Sequence, residues 1–149
     1  MLKRGYEGQN CSIARTLEIV GERWTLLIIR DVFLGLRRFD QLQESLGVAR
    51  NVLTDRLSRL VEKGILERVQ YNERPPRFEY RLTDKGRHLN VALTALRQWG
   101  DQHLSQKPPR LLRRKGDKKA VIAALVPRGA DVLRPDEVEL VPGPGLKTT

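Results

Sequence analysis

Arg50, Asn51, Thr54 and Ser58 fall on one side of a single helical stretch, and each carries a group able to meet a base edge. An arginine forks onto guanine, an asparagine onto adenine, and a hydroxyl serves either. Such side chains near the start of a helix are the ones that read a major groove. The helix that would present them is Ala49 to Lys63, ARNVLTDRLSRLVEK. Val52, Leu53, Leu57, Leu60 and Val61 recur at three- and four-residue steps as one apolar stripe, with Asn51, Thr54, Asp55, Ser58 and Glu62 opposite. Gly64 follows, where a left-handed residue closes a helix. Arg56 lies nearer the stripe than the exposed face, which makes it structural or phosphate-directed.

The neighbouring segments would position that helix. Phe39, Leu42, Gln43 and Leu46 make a short amphipathic helix closed by Gly47, and only Val48 and Ala49 separate the two. Two helices joined by a tight glycine-containing turn form a helix-turn-helix, with the second as reader. Ile65 to Tyr71 reads as a strand, Asn72 to Arg77 as a turn because of Pro75 and Pro76, and Phe78 to Leu82 as a half-buried strand. Helix, turn, helix and hairpin is the order of a winged helix. Arg74 and Arg77 at the tip, with Arg37, Arg38 and Arg59, are candidates for phosphates or a flanking minor groove; a solvated loop is the alternative for the tip arginines.

Outside this unit, residues 1–9 read as a flexible arm. A first helix is expected to start near Asn10 or Ser12, to carry Ile13, Leu17 and Val20, and to end about Gly21. A second, about Arg23 to Leu34, is apolar almost all round and belongs in a core, with Trp24 as packing. Thr83-Asp84 would cap a last helix to about His103, with Leu89, Leu93, Leu96, Trp99 and His103 along it. Its far end, carrying Trp99, suits a partner helix, and a symmetric dimer is the commonest cover for such a surface. The domain is therefore set at 10–105. Residues 106–149 read as a basic linker, holding seven basic residues against Asp117 up to Lys119, followed by a small β appendage. Ala120–Val126 is its first strand, with Val132–Leu133 and Val138–Val141 as pairing candidates. The basic part either adds non-specific DNA affinity or is a solvated tail.

Composition narrows the partners. The 149 residues include 28 Lys and Arg against 18 Asp and Glu, a formal net charge of +10. That balance favours a polyanion, nucleic acid before an anionic membrane surface. The single cysteine excludes an intrachain disulfide and fits a reducing cytoplasm, and MLKRGYEGQN lacks the apolar core of a signal peptide. Two distant histidines and one cysteine argue against zinc, and the longest apolar run, Leu26 to Ile29, is far short of a membrane span. No carboxylate pair, Ser/His/Asp arrangement or phosphate-cradling glycine loop is present, so neither enzyme activity nor a cofactor is expected.

The segment CSIARTLEIVGERWTLLIIRDVFLGLRRFDQLQESLGVARNVLTDRLSRLVEKGIL, followed by ERPPRFEYRLTDKG, resembles the HxlR family of bacterial winged-helix transcriptional regulators. The likeness covers about Asn10 to Leu104. It implies a mainly α winged helix-turn-helix with a hairpin wing, and a cytoplasmic homodimer joined through first and last helices, here Ile13, Leu17, Leu96, Trp99 and His103. It also implies binding to double-stranded DNA at an operator with dyad symmetry, usually to repress. Some relatives carry Ser-Pro at the start of the reading helix; Ala49-Arg50 stands there instead, removing a side-chain cap and adding a charge. Some carry paired cysteines in a C-terminal extension, which this chain lacks. Some sense oxidants through a cysteine placed as Cys11 is. Cys11 would lie in the first turn of the first helix, where the dipole and Lys3, Arg4 and Arg15 favour the thiolate; its other reading is a small buried interface residue. The rival functions are a winged-helix module for protein or RNA, and a sensor whose small-molecule effector sits between the second and last helices.

Overall fold

Ile28, Ile29, Leu42, Leu53 and Leu57 are fully buried, and together they make the core on which three consecutive helices meet. The computed structural model describes residues 5–146. It divides into two compact units, one ending at His88 and the other beginning at Leu89. The boundary expected after Ser105 thus lies inside the second unit, which takes in the last long helix as well as the tail.

The first unit runs α1 (Ser12–Val20), α2 (Thr25–Phe33), α3 (Phe39–Leu46), α4 (Arg50–Glu62), β1 (Leu66–Glu73), β2 (Pro76–Leu82) and α5 (Asp84–Arg87). α2 starts at Thr25 because Trp24 takes a left-handed conformation, φ 80°, which no helix can propagate. Leu27 and Leu34 stay exposed, so α2 is less enclosed than its composition suggests. Its one charged core residue is Asp31, 1% exposed. Asp31 accepts hydrogen bonds from Ser45 Oγ at 2.7 Å and Arg30 Nε at 2.8 Å, which satisfies a carboxylate that would otherwise be costly to bury. The Ser45 bond also ties α2 to α3.

α3 and α4 follow the expected pattern closely. Gln41 Oε1 accepts the backbone N–H groups of Arg37 and Arg38 at 3.2 and 3.1 Å and so caps the start of α3. Gly47 closes it at φ 63°, a conformation that costs glycine little. The turn then delivers Leu53, Leu57 and Leu60 to the core in the 3.6-residue rhythm of α4. β1 and β2 pair antiparallel from Leu66↔Leu82 to Glu73↔Pro76, with an irregularity between Gln70 and Asn72. The turn is shorter than the expected Asn72–Arg77: ladder pairing continues to its last possible pair and leaves Arg74 and Pro75 at the tip. Pro76 is tolerated because it opens its strand, where no donor is required. Tyr80 N–H donates to Arg37 carbonyl oxygen at 2.7 Å, fastening the hairpin beside α3.

The single helix expected from Thr83 to His103 is two helices. Gly86, a weak helix former, is pressed against the Ile65 carbonyl and held by its N–H to Thr83 Oγ1 at 3.0 Å; regular structure stops at His88 and resumes as α6 (Asn90–His103). A Cβ on Gly86 would lie 2.2 Å from Ile65 carbonyl oxygen, so backbone must move to admit one. Gly86→Ala is expected to lose about 1–3 kcal/mol of stability by overpacking. A urea titration with an unchanged midpoint would show that the contact relaxes freely.

In the second unit α6 buries Thr94, and β3 (Arg110–Arg114) pairs antiparallel with β4 (Val138–Pro142). A β appendage therefore exists, but its first strand lies in the basic segment expected to be linker. Arg113 sits opposite Glu139 and donates to it at 2.6 Å, a cross-strand ion pair joined by Lys118 at 3.0 Å. Lys118, then Arg113, hold the Glu139 carboxyl below the ordinary carboxylate range by hydrogen bonding. The expected strand Ala120–Val126 makes only an isolated bridge, Ala120 with Arg113. The backbone of Ala123 bonds instead to the side-chain amide of Gln98, donating at 2.9 Å and accepting at 3.1 Å, which takes it out of any ladder. Among the described residues, no helix is long and apolar enough to cross a membrane.

Candidate nucleic-acid interface

The outward face of α4 carries Arg50, Asn51, Thr54 and Ser58, all exposed. Ala49 precedes it in extended conformation and supplies no side-chain cap. The first N–H groups of α4 are thus left without a cap from that side chain, at the positive end of the helix dipole. Arg50 is not a loose side chain: its guanidinium lies 4.7 Å from the centroid of the Phe39 ring, so α3 sets its direction. Thr54 Oγ1 donates to Arg50 carbonyl oxygen at 2.9 Å, which commits its proton and leaves its lone pairs and methyl outward.

The flanking cations divide into two groups. Arg37, Arg38, Arg74 and Arg77 are exposed. Arg38 rests 5.2 Å from the Tyr71 ring centroid, where the wing's pairing is irregular, and so joins the wing to the start of α3. Arg74 is at the tip and Arg77 pairs across the ladder with Asn72. Arg59 differs. It forms an ion pair with Glu22, from the segment between α1 and α2. Glu22 also holds Arg56 at 2.8 Å, and Arg56 Nε donates to Arg23 carbonyl oxygen at 3.2 Å. Arg56 is therefore a tie across the fold, and Arg59 competes for the same carboxylate. A further cation escaped the sequence reading: Arg68 of β1 lies 3.7 Å from the Phe78 ring centroid on the wing. Its only sequence signal was the alternation of charged and aromatic residues in the two strands.

Cys11 is the residue before the first turn of α1, exposed and without a side-chain capping bond, rather than inside that turn as expected. Ser12, not Cys11, begins the regular helix, which places Cys11 at its N-cap. Arg15 reaches Asn10 Oδ1 at 3.3 Å; Lys3 and Arg4 lie outside the described residues. The residues expected to meet a second subunit are uncovered in each unit taken alone. Ile13 is 71% exposed and Leu17 37% on α1, while on α6 Leu96 is 55% and Trp99 59% exposed. The rings of Trp99 and His103 lie 4.9 Å apart and form one patch.

An exposed polar helix following a tight turn, with a cationic hairpin fastened beside it, defines a winged helix-turn-helix protein. The chain belongs to the HxlR-like helix-turn-helix family, whose model matches residues 19–108. It is 51% identical over 114 residues to the uncharacterised HTH-type transcriptional regulator Mb3122 of Mycobacterium bovis, covering 75% of this chain and 71% of that one. The crystal structure of PA1607, a candidate transcription factor, covers 86% of this chain and 82% of its own at 41% identity, with a TM-score of 0.61. The reduced form of the transcriptional regulator YodB from B. subtilis covers 66% of this chain and 98% of its own at 29% identity, with a TM-score of 0.56. The chain is a transcriptional regulator of the helix-turn-helix type.

Proposed function

We propose that two copies of this chain bind a dyad-symmetric operator in the bacterial cytoplasm and repress the promoter that contains it. Each α4 enters a major groove, with Arg50, Asn51, Thr54 and Ser58 facing base edges. Arg37, Arg38, Arg74 and Arg77 neutralise phosphates or a flanking minor groove. The observation that carries this reading is the outward face of α4: its four polar side chains are exposed, and Arg50 is already aimed by Phe39. The two reading helices then stand about 34 Å apart, one duplex turn, or a small multiple of it. Occupation of such a site excludes polymerase from an overlapping promoter, which is the simplest route to repression. Exposure of Cys11 supports oxidant control as an added layer, because a thiolate must be reachable to react.

The test begins with the duplex retained from the genome of origin. Asn51→Ala or Thr54→Ala is expected to weaken that operator by roughly 5–150-fold, the worth of one good base contact, while leaving random duplex unchanged. Arg74→Ala is expected to weaken operator and random duplex alike. Failure to shift any duplex at low salt would favour a protein- or RNA-binding module instead.

A further inference from the structure

The second unit contains a cavity of about 500 Å³ between α6 and the tail segments. Small-molecule sites span about 300–1,000 Å³, so the volume suits a ligand of modest size. Leu112, Val121 and Ile122 supply apolar wall, and the two bonds between Gln98 and Ala123 hold the segment bearing Val121 and Ile122 in place. An adjoining cavity of about 300 Å³ shares Leu112, Val121 and Ile122, which extends the apolar lining.

The charges around this space do not cancel. Arg113 and Lys118 are committed to Glu139. Arg97 is not committed: its Nη1 is buried with no hydrogen-bond partner among the described residues. Burial lowers the pKa of its guanidinium; Asp101 opposes that shift and Arg110 adds to it. Arg97 and Arg110 therefore share the one carboxylate of the lining, Asp101, on a cavity with a polar side from α6 and an apolar side from Leu112, Val121 and Ile122. A guanidinium that lines a cavity and forms no ion pair among the described residues is the natural complement of a two-oxygen anion.

We propose that this cavity binds small organic monocarboxylates, with the carboxylate between Arg97 and Arg110 and the apolar body against Leu112, Val121 and Ile122. An inorganic anion would leave that apolar wall unused, and a neutral apolar ligand would leave the guanidinium unanswered. Because the two cavities adjoin, a longer body binds more tightly than a short one.

Thermal unfolding and calorimetric titration of the full chain test this without DNA. The probes are acetate, octanoate and phenylacetate, with phenylacetamide and inorganic phosphate as controls. Octanoate and phenylacetate are expected to raise Tm by roughly 3–6 °C at saturation, with acetate, phosphate and the amide having little effect. Arg97→Met and Arg110→Gln are each expected to weaken octanoate by roughly 10–100-fold. If Arg97→Met fails to fold, Arg110→Gln decides alone. The proposal is overturned if neither octanoate nor phenylacetate binds, if amide or phosphate matches them, or if folded variants bind octanoate as tightly as the native chain. Duplex affinity is a separate measurement, so failure here leaves the reading of α4 standing.

Discussion

Raising salt from 50 to 200 mM is expected to weaken duplex binding by about 10³–10⁵, the largest change any single condition should produce. The basis is a count of cations that form no ion pair among the described residues. Arg37, Arg38, Arg74 and Arg77 are exposed, and four per subunit would give eight in the proposed dimer. Each phosphate neutralised releases counterions, so eight correspond to a slope of roughly −7 in log affinity against log salt. Arg59 would have raised the count, but its pairing with Glu22 already spends part of its charge inside the protein. Arg74→Ala should therefore lower the slope by about 2 per dimer, one for each subunit. Arg59→Ala should lower it by less. Filter binding across a salt series measures both. A flat series would remove phosphate neutralisation from the model, and equal slopes for the two variants would mean that Glu22 releases Arg59 on binding.

Trp99→Asp is expected to cost about 10²–10⁴ in operator affinity without touching a base or a phosphate. Two linked reading heads bind the second half-site as an intramolecular event, and a solitary subunit loses that advantage. The apolar patch on α6 is the reason for choosing Trp99: with 59% of its surface uncovered in the subunit, it contributes little to the core, so an aspartate there should spare the fold. A carboxylate in the centre of an apolar contact is instead strongly unfavourable. Sedimentation should show a dimer for the native chain and a monomer for the variant, with unchanged circular dichroism. A native chain that sediments as a monomer would sink the two-fold model. A dimeric Trp99→Asp protein with full affinity would place the interface elsewhere.

The helix-turn-helix and its wing were readable from the residues because the information there is local. The 3.6-residue rhythm of Leu53, Leu57 and Leu60, the left-handed Gly47 and the alternation of Phe78 to Leu82 each depend on neighbours a few positions away. The same local signals placed Arg50, Asn51, Thr54 and Ser58 on one helix face. Pairings across long separations were not readable. Glu22 reaches Arg59 and Arg56, Phe39 orients Arg50, and Arg97 sits on a cavity whose other wall comes from the tail. The tail strand was misplaced for the same reason. RLLRR looks like a charged linker until Glu139 is set opposite Arg113, and AVIAALV looks like a strand until Gln98 takes up the backbone of Ala123. Sequence by itself determined which elements form and which faces they expose, because short-range sterics and hydrophobic periodicity decide both. Only the tertiary structure decided which cations are free and which are spent, because an ion pair or a cavity exists only once distant segments have been packed together.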